Sequence, residues 1–378
     1  MRPVAPSLFR ATSIAAAVAF AFFAAGSARA QADPAAEKRY SIHGYGEIHY
    51  NNPEGGTMDE DAPAMVDVHR MVLGWEYEFT PTLRMSAEVD YEHSASEIEL
   101  EYAHVEYDLG STVSLRAGSL LMPVGPLNEF HEPPTYHSVE RPYLEANVIP
   151  TTWQEIGVGL VGRASGGALG YRAYVVSGLD ATGFSTASGI RGGRQHGIEA
   201  TAEDLAVVGR LEYAAAGGLT VGGSGYYGGA DQGMSGLGDV TVSVAEGDAR
   251  FRRGALDLRG EVASVSIGNS DSVSLFVGES VASRIWGLYG EAAFDVLHGR
   301  TQTPDRALWL FARFERFDTN ADTETGVTRN PLAERTIVTG GIAYHPVREV
   351  AFKADFEHWE DGADQDLNRL NLGVAFQF

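Results

Sequence analysis

The sequence predicts an all-β protein, a transmembrane antiparallel β-barrel of about 16 strands, on three observations. Apolar and polar residues alternate with a period of two along most of the chain, the last residues form an apolar strand that ends on Phe378, and no long apolar run follows residue 25. Because successive strand side chains point to opposite faces, such alternation creates one lipid-facing and one water-facing surface. The predicted barrel comprises residues 40–378.

The alternation is clearest in residues 83–92, where every odd position is apolar or aromatic and every even position is polar or charged. Segments of about ten residues with this pattern match the length of a tilted membrane strand. In residues 98–109 the apolar set changes from even to odd positions around Tyr102, which predicts a β-bulge. The sixteen predicted strands begin near Tyr40, Val66, Leu83, Ile98, Val113, Gln154, Leu169, Ala206, Leu219, Val240, Ala255, Arg284, Ala307, Arg335, Val350 and Leu367.

The connections between the predicted strands differ in length. Short turns, such as residues 110–112 and 346–349, follow the even-numbered strands, whereas the longer connections mostly follow the odd-numbered ones. In outer-membrane barrels the short turns are periplasmic and the long loops extracellular. An even strand number then leaves both ends of the barrel in the periplasm.

Both ends of the chain indicate export to the outer membrane of a Gram-negative bacterium. Residues 1–30 have the layout of a signal peptide, with Arg2 and Arg10 before a short apolar run and a small-residue cleavage site that ends at Ala30. Residues 31–39 would form a short periplasmic segment. The terminal apolar face, which includes Phe376 and Phe378, resembles the signal that the barrel-assembly machinery recognises.

The composition excludes several classes of partner. The chain has 28 Lys and Arg against 51 Asp and Glu, a net charge of −23, which argues against binding nucleic acid. It has no cysteine, which excludes a disulfide scaffold and thiolate metal sites. We therefore expect no cofactor and no metal, and the expected partners are outer-membrane lipids and small hydrophilic solutes.

The connection after the fifth strand, residues 122–153, carries six prolines and is long enough to have a function of its own. Several of its runs resemble the corresponding stretch of the phosphate-selective porin (O and P type) family. That resemblance implies a homotrimeric 16-stranded porin for passive diffusion, whose third loop folds inward and constricts the channel. The runs that carry it are residues 123–125, 128–129, 131–135, 139–141 and 149–153.

A phosphate channel requires Arg or Lys side chains along the lumen, because guanidinium groups match phosphate oxygens. The alternative for each cation is a structural pair with a carboxylate of the wall, and the acidic excess equally allows a general or weakly cation-selective porin. The candidate wall residues are Arg116, Arg163, Arg172, Arg210, Arg259, Lys353, Glu88, Asp90 and Glu261. The candidate loop residues are Glu129, His131, Glu132, Glu140, Arg141 and Glu145.

Enzymatic motifs are weak, and the sequence predicts that the chain is not an enzyme. Residues 223–228 match the glycine spacing of a dinucleotide fingerprint but lie in a predicted strand, and there is no G-x-S-x-G or H-E-x-x-H motif. An outer-membrane barrel hydrolase that uses carboxylates with His93, His104 or His358 is the alternative from another class. A barrel with a plugged lumen is a third hypothesis.

Overall fold

Sixteen antiparallel strands form a closed barrel in the computed structural model, which describes residues 39–56, 63–301, 303 and 305–378. Each strand pairs with its neighbours in sequence, and β1 pairs with β16 to complete the ring. The strands are β1 Tyr40–Gly56, β2 Met65–Thr80, β3 Leu83–Glu92, β4 Glu97–Asp108, β5 Val113–Leu121, β6 Gln154–Ala164, β7 Leu169–Ser177, β8 Leu205–Ala214, β9 Leu219–Gly229, β10 Thr241–Arg253, β11 Leu256–Gly268, β12 Arg284–Asp295, β13 Ala307–Asp322, β14 Glu334–Val347, β15 Val350–Asp361 and β16 Asp366–Gln377.

The predicted fold class is confirmed, because every predicted strand is present and begins within one residue of its predicted start. The predicted bulge is present as well, since the register between β3 and β4 shifts opposite Glu88 and Val89, where Tyr102 and Leu100 are the partners. The signal peptide predicted over residues 1–30 and the segment predicted over residues 31–39 lie outside the described residues, apart from Arg39.

Short turns lie at one end of the barrel and long loops at the other. The even-numbered strands are followed by turns such as residues 81–82 and 254–255, although the connection after β12, residues 296–306, is longer. Two short helices occur in loops at the other end of the strands, α1 Leu144–Asn147 and α2 Ser270–Val277. No helix in the described part of the chain is both long and apolar enough to cross a membrane.

The outer face of the barrel wall is apolar, whereas the outer face of a soluble barrel is polar. On β13, Leu310 and Phe314 are nearly half exposed on the outside, whereas Phe311 and Arg313 on the inside are buried. An apolar outer band on a closed barrel satisfies the backbone without a free edge and matches lipid, so this is an outer-membrane β-barrel.

The seam between β1 and β16 packs aromatic rings onto glycine. Phe378 and Gly44 exchange two backbone hydrogen bonds, of 3.1 and 2.8 Å. A Cβ atom on Gly44 would lie 2.8 Å from the ring of Phe378, and one on Gly46 would lie 2.7 Å from the ring of Phe376. The two glycines therefore make the room that the terminal phenylalanines occupy, while the role of these rings in assembly stays a prediction.

The glycine-rich run at residues 223–228 lies inside β9 and pairs with both β8 and β10. A dinucleotide fingerprint needs its glycines between a strand and the start of a helix, so that backbone amides reach the pyrophosphate. The position within the barrel wall excludes that geometry.

Candidate functional site in the barrel lumen

The third loop (residues 122–153) lies inside the barrel. Leu144, Val148, Ile149 and Trp153 are completely buried and belong to one apolar cluster with inward-facing wall residues. A water-filled 16-stranded barrel offers no such cover by itself, so the loop occupies part of the lumen. Burial of these side chains fixes the C-terminal half of the loop against the wall.

The middle of the third loop is bound to the wall formed by β12, β13 and β15. His137 Nδ1 lies 2.7 Å from Glu291 Oε1, and the backbone N–H of Val139 donates to Asp355 at 2.6 Å. Arg313 donates to the hydroxyl of Ser138. These contacts join residues that are 154 to 216 positions apart in sequence.

Lys353 also holds the third loop rather than pointing freely into the lumen. Its ammonium group donates to the carbonyl oxygens of Pro133 and Ser138, at 2.6 and 2.8 Å. It lies 4.0 Å from the centre of the Tyr136 ring, at cation–π distance. Because the side chain is buried, these carbonyl oxygens and the ring of Tyr136 take the place of the water that would otherwise solvate the ammonium group.

The opposite side of the loop is bound to β1 and β4. His131 Nε2 lies 2.7 Å from the hydroxyl of Tyr45 and 2.7 Å from Glu101. Burial lowers the pKa of His131, but the charge and hydrogen bond of Glu101 outweigh burial and raise the pKa to about 9. His131 is therefore a cation at neutral pH and a fixed partner of the wall.

Glu140 is held on the same side by the side chains of His49 and Asn51, at 3.2 and 3.1 Å. Burial raises the pKa of Glu140, but the hydrogen bond and the charge of His49 together lower it to about 2. The loop thus crosses the lumen and is attached by ionic contacts at both sides.

Five of the six predicted lumen cations have partners in the protein. Arg163, near the periplasmic end of β6, is the exception, since it forms no salt bridge with a described residue. Besides Lys353, the paired cations are Arg116 with Glu106 at 2.8 Å, Arg172 with Glu129 at 2.8 Å, Arg210 with Asp248 at 2.6 Å, and Arg259 with Asp257 at 3.1 Å. These six side chains therefore do not form a continuous row of unpaired cations along the lumen.

The other predicted residues are mostly part of the same internal network. Glu88 accepts from Tyr102 at 2.9 Å and contacts His43 at 2.7 Å, and Arg141 donates to Thr151 at 3.2 Å. Asp90 is buried and Glu132 is half-buried.

A carboxyl pair connects the third loop to β11. Glu145 and Glu261 are both buried, and a Cβ atom on Gly125 would lie 2.9 Å from the first and 3.0 Å from the second. The N–H of Leu127 donates to Glu145 at 3.1 Å. Burial raises the pKa of Glu145 to about 8, and the charge of nearby Glu246 adds to the shift although Arg210 and the hydrogen bonds oppose it.

Stability should therefore fall as the pH rises. The folded protein binds a proton on Glu145 more tightly than the unfolded chain does, and this tighter binding stabilises the fold. The stabilisation is complete below the ordinary pKa of 4.5 and is lost as the pH rises through about 8. We expect the urea midpoint of unfolding to decrease across this range, and Glu145→Gln to remove part of that decrease. Glu132→Gln, in the same loop, is the control. An equal pH dependence in wild type and Glu145→Gln would contradict the expectation.

Sequence reasoning missed several residues that position the loop. Arg70 is buried and forms a salt bridge with Glu47 at 2.7 Å. The apolar residues of β2 change from even to odd positions between Val68 and Met71, and this change is the sequence signal that would have identified Arg70. Arg313 was missed because Trp309, Phe311 and Phe317 share its inward face and hide the alternation. From the loop after β7, Arg194 donates to the carbonyl of Thr152 at 2.9 Å.

Two cavities lie on the two sides of the third loop. One, of about 570 Å³, lies towards the short turns, and the other, of about 920 Å³, towards the long loops. The first is lined by Arg250, Arg252, Arg259 and Arg348 together with His137, His298 and His345, against Asp295 and Asp305. We call it the periplasmic cavity.

Arg252 is an exposed cation of the periplasmic cavity. Its guanidinium lies 5.0 Å from the centre of the Trp309 ring, and it forms no salt bridge with any residue that the structure describes. The other arginines of this cavity are paired, for example Arg250 with Asp257 at 2.6 Å and Arg348 with Asp305 at 3.7 Å. A positive charge is thus available to a solute on this side of the loop.

Sequence comparison identifies a relative of this barrel. An uncharacterized protein of Aquifex aeolicus strain VF5 is 33% identical over 370 residues, covering 91% of this chain and 83% of that protein. The chain belongs to the family of this Aquifex protein. No protein-family model matches the chain. Membership of the phosphate-selective porins (O and P type) stays a prediction.

Solved structures of the same fold come from outer-membrane proteins. OmpF of Salmonella typhi in complex with daunomycin is 13% identical, with a TM-score of 0.58 over 90% of this chain and 97% of that one. An anion-selective porin from Comamonas acidovorans has 10% identity and a TM-score of 0.57 over 90% and 99%. OmpT of Vibrio cholerae in its trimer form has 10% identity and 0.54 over 90% and 99%. These values show that this chain has a porin-like fold.

The prediction that the chain is not an enzyme is wrong as stated. The barrel resembles OmpT, an outer membrane protein of Vibrio cholerae, as well as porins, and likeness at 10% identity shows the fold alone. A barrel of this fold is therefore compatible with catalysis.

Proposed function

We propose that the protein is a passive diffusion channel for small hydrophilic solutes and that it prefers anions. The closed barrel, the loop that occupies part of its lumen and the cavities on both sides of the loop support a restricted aqueous path. An anion-selective porin from Comamonas acidovorans has the same fold. The preference for anions rests on the charge of the periplasmic cavity.

The observation that carries this preference is the environment of Arg252. Arg252 forms no salt bridge with a described carboxylate, whereas most other lumen cations do. An uncompensated charge at a narrow passage concentrates ions of opposite sign, and a unit charge about 4 Å from the path contributes about 1 kcal/mol in water. That corresponds to an enrichment of a monovalent anion of about fivefold, with a depletion of monovalent cations in addition.

The test is the reversal potential of the protein in a planar bilayer across a KCl gradient. We expect an anion preference in the wild type, and a fall in the anion-to-cation permeability ratio of about fivefold or more in Arg252→Glu. Arg253→Glu is the matched control, because Arg253 is the next residue and points to the other face of β10. Equal ratios in the two variants would contradict the proposal.

A preference for phosphate is the finer form of this proposal, and it is supported by the resemblance of the third-loop runs. Guanidinium groups bind phosphate oxygens in pairs, and the periplasmic cavity gathers four arginines. Titration of the same bilayers with phosphate should reduce the chloride current if the solute is held there. Chloride selectivity without such block would leave an anion channel that does not prefer phosphate.

A general or weakly cation-selective porin is the second candidate. Glu76 and Glu78 lie exposed on the lumen side of β2, across the barrel from the arginines of β10. Acidic and basic sides of one lumen create a transverse field that admits ions of either sign. A reversal potential near zero, or of the sign for cations, would favour this function.

We also propose that the chain assembles as a homotrimer in the outer membrane. OmpT of Vibrio cholerae, which has the same fold, is known in a trimer form. Native mass spectrometry of the detergent-extracted protein tests this directly. A trimer should appear as three conductance steps per insertion in the bilayer, and single steps with a monomer mass would contradict it.

A further inference from the structure

Two histidines and one aspartate meet at the end of the barrel that carries the long loops. Asp67 and His69 belong to β2, and His93 begins the short connection between β3 and β4. Asp67 Oδ2 lies 2.6 Å from His93 Nδ1 and 3.5 Å from His69 Nδ1. One ligand atom from each of the three residues can be chosen so that all lie within 4.8 Å of one another.

The partners of Asp67 set this cluster apart from the other carboxylates of the lumen. Many of those, such as Glu47 and Asp257, contact an arginine. Within the described residues, the salt-bridge partners of Asp67 are the two histidines. Two imidazoles around one carboxylate are a ligand set for borderline divalent metals, whereas Mg²⁺ and Ca²⁺ prefer oxygen ligands alone.

The backbone at His93 is held in an unusual conformation. His93, Ser94 and Ala95 all have positive φ values, of 48°, 58° and 66°. Residues other than glycine seldom adopt this left-handed region, and three in succession cost free energy that other contacts must offset. At this point His93 contacts Asp67 through its ring nitrogen and packs edge-on against the ring of His69.

A second layer of contacts fixes the ring of His69. It stacks on His49, with ring centres 4.6 Å apart and an angle of 10° between the planes. His49 is held in turn by Glu47 at 2.9 Å and by Glu140 of the third loop at 3.2 Å. Metal-binding histidines depend on such outer contacts for their orientation.

We propose that Asp67, His69 and His93 bind a divalent first-row transition ion such as Zn²⁺ at the extracellular entrance of the barrel. Tetrahedral coordination at about 2.0–2.1 Å places ligand atoms roughly 3.3 Å apart. The ligand atoms of the three residues lie within 4.8 Å of one another, so the most distant pair has to approach by about 1.5 Å at most. His93 is the half-exposed member and lies in a short connection, so it supplies this movement. Three protein ligands leave one position for water or a passing anion.

The experiment is isothermal titration of the full-length barrel in detergent with Zn²⁺ at slightly alkaline pH, in a large excess of Mg²⁺. We expect one Zn²⁺ per chain, and affinity at least tenfold lower in His93→Ala and in Asp67→Asn. His358→Ala is the matched control, because His358 is also exposed near this end of the barrel and pairs with Glu360 at 3.4 Å, but within the described residues it belongs to no group of three possible metal ligands.

The outcomes separate clearly. Stoichiometric binding that His93→Ala weakens and His358→Ala does not would support the site. The proposal is overturned by the absence of saturable Zn²⁺ binding, by equal affinity in His93→Ala and wild type, or by equal loss in His358→Ala. His93 is exposed and lies outside the strands, and heat-modifiable migration on gels confirms that each variant forms the barrel.

Discussion

Replacing residues 133–141 of the third loop with a Gly-Ser segment of the same length should raise the single-channel conductance. The replacement removes the side chains of His137, which contacts Glu291, and of Glu140, which contacts His49. It also removes the prolines that stiffen this part of the loop. Because a barrel of 16 strands leaves an aqueous channel when nothing fills it, we expect an increase of about twofold or more.

The design keeps the part of the loop that supports the fold. Leu144, Val148, Ile149 and Trp153 remain, so the buried apolar cluster is intact. Replacing residues 233–236, in the exposed loop after β9, with the same kind of segment is the control and should leave conductance unchanged. Unchanged conductance in the 133–141 variant as well would show that this segment does not limit the path.

Removing the side chain of Arg313 should destabilise the barrel by about 3–5 kcal/mol, the usual cost of breaking a buried ion pair. Its guanidinium is completely buried, 2.7 Å from Glu315 and 3.5 Å from Glu291. In Arg313→Ala the buried carboxylates of Glu315 and Glu291 each lose an arginine partner. The third loop also loses the hydrogen bond between Arg313 and Ser138.

Arg316→Ala provides a matched control on the same strand. Arg316 is half exposed and forms a surface salt bridge with Glu334, so its removal should cost about 0–1 kcal/mol. Both values are measured as the free energy of unfolding in urea, followed by tryptophan fluorescence in detergent micelles. Similar losses for the two variants would contradict the view that the internal charge network stabilises the barrel.

The strands could be predicted from the sequence because a strand exposes its two faces to different solvents. Because lipid lies outside the wall and water or charged groups lie inside it, apolar and polar residues alternate along each strand. This alternation can be read within a single segment, so the start of each strand was predicted to within one residue. Where both faces carry aromatic groups, as around Phe311 on β13, the pattern disappears and Arg313 was not recognised.

The lumen could be predicted much less well, since periodicity gives the face of a side chain but not its height or its partner. Lys353 was expected to line the lumen, but its partners are in the third loop, more than two hundred positions away. Arg252 was not selected at all, because the adjacent Arg253 breaks the alternation at the end of β10. Which cation is free and which is paired depends on these distant contacts.

The seam between β1 and β16 has a consequence for biogenesis. It joins residues such as Asn51 and Asn371, which are 320 positions apart, so the ring cannot close before the last residue has been delivered. Until then both terminal strands present unpaired amides and carbonyls, which lipid does not tolerate. Gly44 and Gly46 receive the rings of Phe378 and Phe376 at this seam. A chain in which β16 has not paired with β1 therefore stays an open sheet with two free edges.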